Sequence, residues 1–131
     1  MSMNDRLSDM ITRIRNALMR QKESVVVLYS KMNVSVLSVL KSEGYIKDYE
    51  VIERGRSIKV TLKYVDGSSS ITRIKRVRKP SLRVYRSLDG LGKIFNGLGI
   101  YVVSTTKGVV SDIKARSKEI HQGGEVLLEV V

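Results

Sequence analysis

Three hydroxyl side chains in succession, Ser104, Thr105 and Thr106, are followed by Lys107 and Gly108. Hydroxyls are compact donors and acceptors that can reach 2′-hydroxyls and base edges in the shallow minor groove of an RNA helix. The lysine offers a phosphate contact, and the glycine permits close backbone approach. Such a turn also arises for local hydrogen-bonding reasons, so alone it carries little weight. The surrounding charge adds to it. The 131 residues include 24 Lys and Arg against 13 Asp and Glu, a formal charge of +11, which favours a polyanionic partner. Residues 71–86 hold seven bases, Arg73, Lys75, Arg76, Arg78, Lys79, Arg83 and Arg86, and no acid. A solvated face usually mixes signs, so this run predicts that the compensating charge comes from outside the chain. In Arg83-Val84-Tyr85-Arg86 the two-residue period of a strand places Arg83 and Tyr85 on one face. That pairs a phosphate contact with a ring able to stack on a base or to serve as ordinary sheet packing.

Enzyme chemistry has little to work with. The chain has no Cys, which excludes disulfides, thiolate zinc sites and cysteine nucleophiles and suits a reducing compartment. His121 is the only imidazole, and a lone histidine beside Gln122-Gly123-Gly124 is read as inert. Asp112, Glu119, Glu125 and Glu129 are scattered without the spacing of a metal site. Gly90-Leu91-Gly92 and Gly97-Leu98-Gly99 fail both phosphate-binding templates. A dinucleotide fingerprint from Gly90 needs glycine where Phe95 stands, and a phosphate loop from Gly92 needs lysine where Leu98 stands. The expectation is therefore no catalysis, no cofactor and no metal. No apolar run approaches 18 residues and the N-terminal residues are too polar for a secretory segment, which predicts a soluble, cytoplasmic protein.

The elements that must position these groups follow from patterning. Residues 5–20 read as an amphipathic helix with Asn4 or Asp5 as N-cap and an apolar stripe of Leu7, Met10, Ile11, Ile14, Ala17 and Leu18. Arg6, Arg13 and Arg20, seven apart, share one flank of that stripe. Residues 24–29 form a strand. Ser30 caps a second helix over 31–43 with Met32, Val36, Val39 and Leu40 inward, and Gly44 stops it. Strands follow at 45–53 and 57–64, joined at Arg54-Gly55, with Ile58, Val60, Leu62 and Tyr64 on one side. Asp66-Gly67-Ser68-Ser69-Ser70 is the flexible stretch that predicts a boundary between two lobes, 1–66 and 67–131. The second lobe is predicted to hold strands at 71–77, 82–85, 100–104 and 125–131, a helix over 88–96, a turn at 105–108 and a helical turn over 111–119. The class is α+β: a helix-rich α-β-α-β-β N-terminal lobe and a strand-rich C-terminal lobe with one or two short helices, the latter the RNA-binding one.

Four segments in fixed order carry a resemblance. They are Thr12-Arg13-Ile14-Arg15-Asn16-Ala17, Asn96-Gly97-Leu98-Gly99-Ile100, Ser104-Thr105-Thr106-Lys107-Gly108-Val109 and Gly123-Gly124-Glu125-Val126-Leu127. Over essentially its whole length the chain resembles the bacterial family of small-subunit ribosomal protein eight. The resemblance implies a two-lobe α+β protein that binds small-subunit ribosomal RNA directly and helps organise its central domain. The family's hydroxyl-rich turn maps onto Ser104, Thr105, Thr106, Lys107 and Gly108, with Glu125 in the same RNA-facing region. Lys31, near a helix N-terminus, offers a phosphate contact, and Arg13 of the first segment joins the RNA-binding set with Arg83, Tyr85 and Arg86. Neighbouring ribosomal proteins five and twelve, and the protein's own operon messenger RNA, are further partners the resemblance implies; no membrane or DNA partner is expected. Thr106 departs from the family's usual serine, and residues 117–122 lengthen a loop. Two other classes compete: a basic DNA- or RNA-binding module outside ribosomes, and an adaptor for acidic proteins.

Overall fold

The computed structural model describes residues 3–77, 99–105, 107–117 and 125–131. They fall into two compact units, Met1–Thr72 and Arg73–Val131, and the fold is α+β. The small-residue stretch read as the boundary is instead a tight hairpin of the first unit. There β4 (Tyr64–Val65) pairs with β5 (Ser68–Ser69) around Asp66 and Gly67, at φ 53° and 81°. Flexible residue types serve a turn as readily as a linker.

The first unit runs α1 (Met3–Met19), β1 (Ser24–Leu28), α2 (Lys31–Ser42), β2 (Ile46–Ile52) and β3 (Ser57–Leu62). Helix α1 starts earlier than the spacing suggested, so Asn4 and Asp5 lie within it. Its stripe of Leu7, Met10, Ile11, Ile14 and Ala17 is buried. Ser30 caps α2 as expected, its side chain accepting the Asn33 N–H at 3.0 Å, and Gly44 takes the left-handed φ of 83° beyond the helix end. Inside α2, Val36, Leu37, Val39 and Leu40 are buried together with Asn33, whereas Met32 is only half-buried. The three strands form an antiparallel sheet in the order β1-β3-β2. On β3, Ile58, Val60 and Leu62 alternate into the core. The turn between β2 and β3 holds three successive left-handed residues, Glu53, Arg54 and Gly55.

The second unit contains β6 (Ile74–Arg76), β7 (Ile100–Thr105), β8 (Gly108–Ser111), α3 (Asp112–Ser117) and β9 (Glu125–Val130). The strands make one antiparallel sheet in the order β6-β9-β7-β8. Strand β8 went unread in the sequence because Val109-Val110 is too short a run to stand out between two polar flanks. Ser111 ends that strand and caps α3, its hydroxyl accepting the Lys114 N–H at 3.1 Å. Buried Asp112 accepts the Tyr101 N–H at 3.0 Å, tying the helix start to β7. Val103, Ala115 and Val126 form a core against which Val77, Tyr101 and Val110 pack. Between β7 and β9 the register shifts by one at Val102/Val103, so that Val102 faces Leu128 and Val103 faces Val126. Leu127 is the bulged residue, and its carbonyl accepts from Val77 N at 3.1 Å and Arg76 Nη1 at 2.6 Å. The predicted strand at 82–85, the helix over 88–96 and the loop holding His121 lie outside the described residues. Among the described residues, no helix is long and apolar enough to cross a membrane.

Candidate nucleic-acid interface

The hydroxyl-rich turn is the connection between β7 and β8. Thr105 stands opposite Gly108 at the close of the pairing. Gly108 has φ 109°, and a Cβ built there would meet nothing within 4 Å. The demand for glycine is therefore set by backbone conformation and not by crowding. Lys107 is exposed at the tip, and Ser104 and Thr105 are half-buried. Because β7 is central, Ser104 has a cross-strand neighbour on each side, Val109 on β8 and Glu125 on β9. Directly opposed residues share a sheet face, so Ser104, Val109 and Glu125 form one row. The adjacent row, Val110, Val103 and Val126, points the other way into the core under α3. The structure thus joins two segments that are 21 positions apart in sequence, placing a hydroxyl and a carboxylate side by side near an exposed lysine.

Of the other expected RNA-binding residues, Thr106, Arg83, Tyr85 and Arg86 lie outside the described residues. Lys31 and Arg13 belong to the first unit. Lys31 is exposed at the first position of α2. Arg13 is engaged within the chain: its Nε pairs with Asp9 at 2.8 Å and its Nη1 donates to the Val26 carbonyl at 3.1 Å. Arg6 behaves alike, donating to the Tyr29 carbonyl at 2.7 Å. The acid-free run is also less free than its sequence implied. Arg73 pairs with Glu129 at 3.0 Å, and Arg76 donates to Leu127. For Arg73 the fold supplies from inside the chain the carboxylate that was expected from outside.

Sequence reasoning missed an open groove of about 460 Å³ beside Arg13, lined by Asn16, Arg20, Lys22 and Ser24 among others. The signal for it was the break between α1 and β1, where polar residues replace the apolar stripe. It also missed Asn33, whose Nδ2 donates to the Leu28 carbonyl at 2.9 Å and the Arg6 carbonyl at 3.3 Å.

Residues 5–131 match the family described as ribosomal protein S8. The chain is 53% identical over 133 residues to the small ribosomal subunit protein uS8 of a Bradyrhizobium species, covering 99% of each chain. It is 50% identical to the protein of that name from Maricaulis maris, again over 99% of each. With that of Coxiella burnetii the identity is 52% over 98% of each. A family match spanning nearly every residue, with relatives at half identity over their full length, makes the chain a member of the ribosomal protein S8 family.

Proposed function

We propose that the chain is a structural constituent of the small ribosomal subunit, without catalytic activity, that binds small-subunit ribosomal RNA directly, chiefly through the second unit. The observation that carries this reading is the register placing Ser104 beside Glu125 at the base of a turn whose tip is an exposed lysine and a left-handed glycine. Ser104, Thr106 and Glu125 supply discrimination, with Thr105 part of the same turn, since hydroxyls and a carboxylate reach groove and base edges but neutralise no phosphate. Lys107, Arg83 and Arg86 supply phosphate contacts, Tyr85 a stacking surface, Lys31 a further phosphate contact, and Gly108 the close approach. On this reading the protein helps organise the RNA's central domain during assembly, in the cytoplasm, beside ribosomal proteins five and twelve. A similar element in its own operon messenger RNA then offers a route to autoregulation.

Titrating the protein against its ribosomal RNA helix and a scrambled duplex at two salt concentrations tests the binding. With roughly 4–7 phosphates met, the slope of log K against log salt is expected at about −3 to −6, and the cognate helix is expected to bind tighter. A flat salt response with no preference between the RNAs would refute the reading. Cofractionation with small subunits on a sucrose gradient is the expected outcome for a ribosomal constituent; migration away from them would favour a basic nucleic-acid-binding module outside ribosomes.

A further inference from the structure

The turn contains a hydroxyl that is already spent. Thr105 donates its single hydroxyl hydrogen to the Gly108 carbonyl at 2.7 Å, and its oxygen accepts the Lys107 N–H at 3.0 Å. A threonine hydroxyl has one hydrogen and two acceptor sites. While the turn stands, Thr105 therefore has no proton to give to an RNA group and a single lone pair left. Its place in the sheet agrees: alternation along β7 puts Thr105 on the face opposite Ser104 and Glu125.

Resting on the proposed RNA interface, we infer that Thr105 is a positioning residue and not a reader. Its two hydrogen bonds clasp the loop from both ends. One fixes the carbonyl of the residue whose φ is 109°, and the other fixes the amide of the lysine at the tip. Together they hold Lys107 at a defined distance from the Ser104–Glu125 row, so that a phosphate contact and an edge contact are made at once. Pre-ordering the loop removes an ordering cost from binding. The readers of RNA edges within the described part of the turn are then Ser104 and Glu125.

Thr105→Val keeps the β-branched shape and removes both bonds, whereas Thr105→Ser keeps the hydroxyl. In the free protein, T105V is expected to speed hydrogen exchange at the Lys107 amide by about 10-fold or more, because local opening no longer breaks a bond. Affinity for the cognate RNA helix is expected to fall by about 10-fold, with an arbitrary duplex staying within about 2-fold. T105S is expected to restore both properties. A Lys107 amide that stays protected in T105V while cognate binding falls would show that the hydroxyl acts on RNA itself, and would overturn the inference. Faster exchange with undiminished cognate binding would overturn it too, since the shape of the turn would then be irrelevant to recognition. Lys107→Ala separates the inference from the reading beneath it. If K107A binds both RNAs as the wild type does, the RNA reading of the turn fails, while the amide exchange of T105V still decides whether Thr105 holds the loop.

Discussion

The β1 edge of the first unit and the β7–β8 turn of the second use their cations in different ways. Along the edge, they turn back onto the chain. Strand β1 is an edge of its sheet, and its Val26 and Leu28 carbonyls are met by Arg13 and Asn33, with Arg6 on Tyr29 just beyond. An uncovered edge invites pairing with another strand, and charged or polar side chains brought against it close that route. In the second unit, the β7–β8 turn carries its exposed lysine beyond the sheet, with Ser104 and Glu125 at its base. Net charge therefore says that a polyanion is expected, but the hydrogen-bond commitments of each cation say where it binds. Arg13 and Lys107 are equivalent in a charge count and unequal in what they have left to offer.

Breaking the core of the first unit gives the largest effect. Ile14 and Leu40 are both fully buried, so Ile14→Ala or Leu40→Ala is expected to cost about 2–5 kcal/mol by denaturant melting. RNA binding should fall only with the folded fraction. An Ile14→Ala protein of full stability that no longer binds RNA would place the binding surface on the wrong unit.

Asn33→Ala comes next. It leaves the Leu28 and Arg6 carbonyls without their side-chain donor in a buried place, at about 1–3 kcal/mol, with no change in the salt slope of RNA binding.

Arg13→Ala and Lys107→Ala set the comparison most directly. The lysine variant is expected to make the salt slope shallower by about one unit for cognate and scrambled RNA alike. The arginine variant is expected to leave the slope where it was, because its guanidinium is bound to Asp9 and Val26. Equal slopes for both variants would erase the distinction between the edge and the turn.

The smallest effect is a titration. Lys41 lies 3.0 Å from Asp48, donating to its carboxylate and holding its pKa below the ordinary 3.8, helped by the Tyr49 N–H. A lowered folded value means that this stabilisation is complete above the unfolded pKa and is lost as pH falls through the folded one. It is therefore intact at neutral pH. Following the carboxyl resonance by NMR in Lys41→Met should show the pKa returning towards 3.8; both groups are exposed, so added salt should do part of the same.

How much of this was legible depended on the range of the signal. The three-four spacing of Leu7, Met10, Ile11 and Ile14 and the Ser30 cap are local, and both stand in the structure as read. Asn33 was not legible. A polar residue in a core position is explained only by the carbonyls of β1 and α1 that it meets. Arg73 and Glu129 lie 56 positions apart, so no window along the chain could join them. The turn at 104–108 was visible as a motif, but the strand that follows it was hidden. So was the internal engagement of Thr105, which makes one of three similar hydroxyls different from its neighbour.

The bulge at Leu127 acts as a parity switch for the site. Up to Val102 and Leu128 the two strands keep one register; beyond it every pairing is offset by one. Were Leu127 taken into regular pairing instead of bulging, Val126 would face Ser104, and Glu125 would pass to the other side of the sheet with Thr105. The chemical character of the surface beside the turn would then change from acidic to aliphatic without a single substitution at the surface itself. A slip of pairing deep in the strand can therefore rewrite what the turn presents, so the bulge specifies the site as surely as the residues that form it.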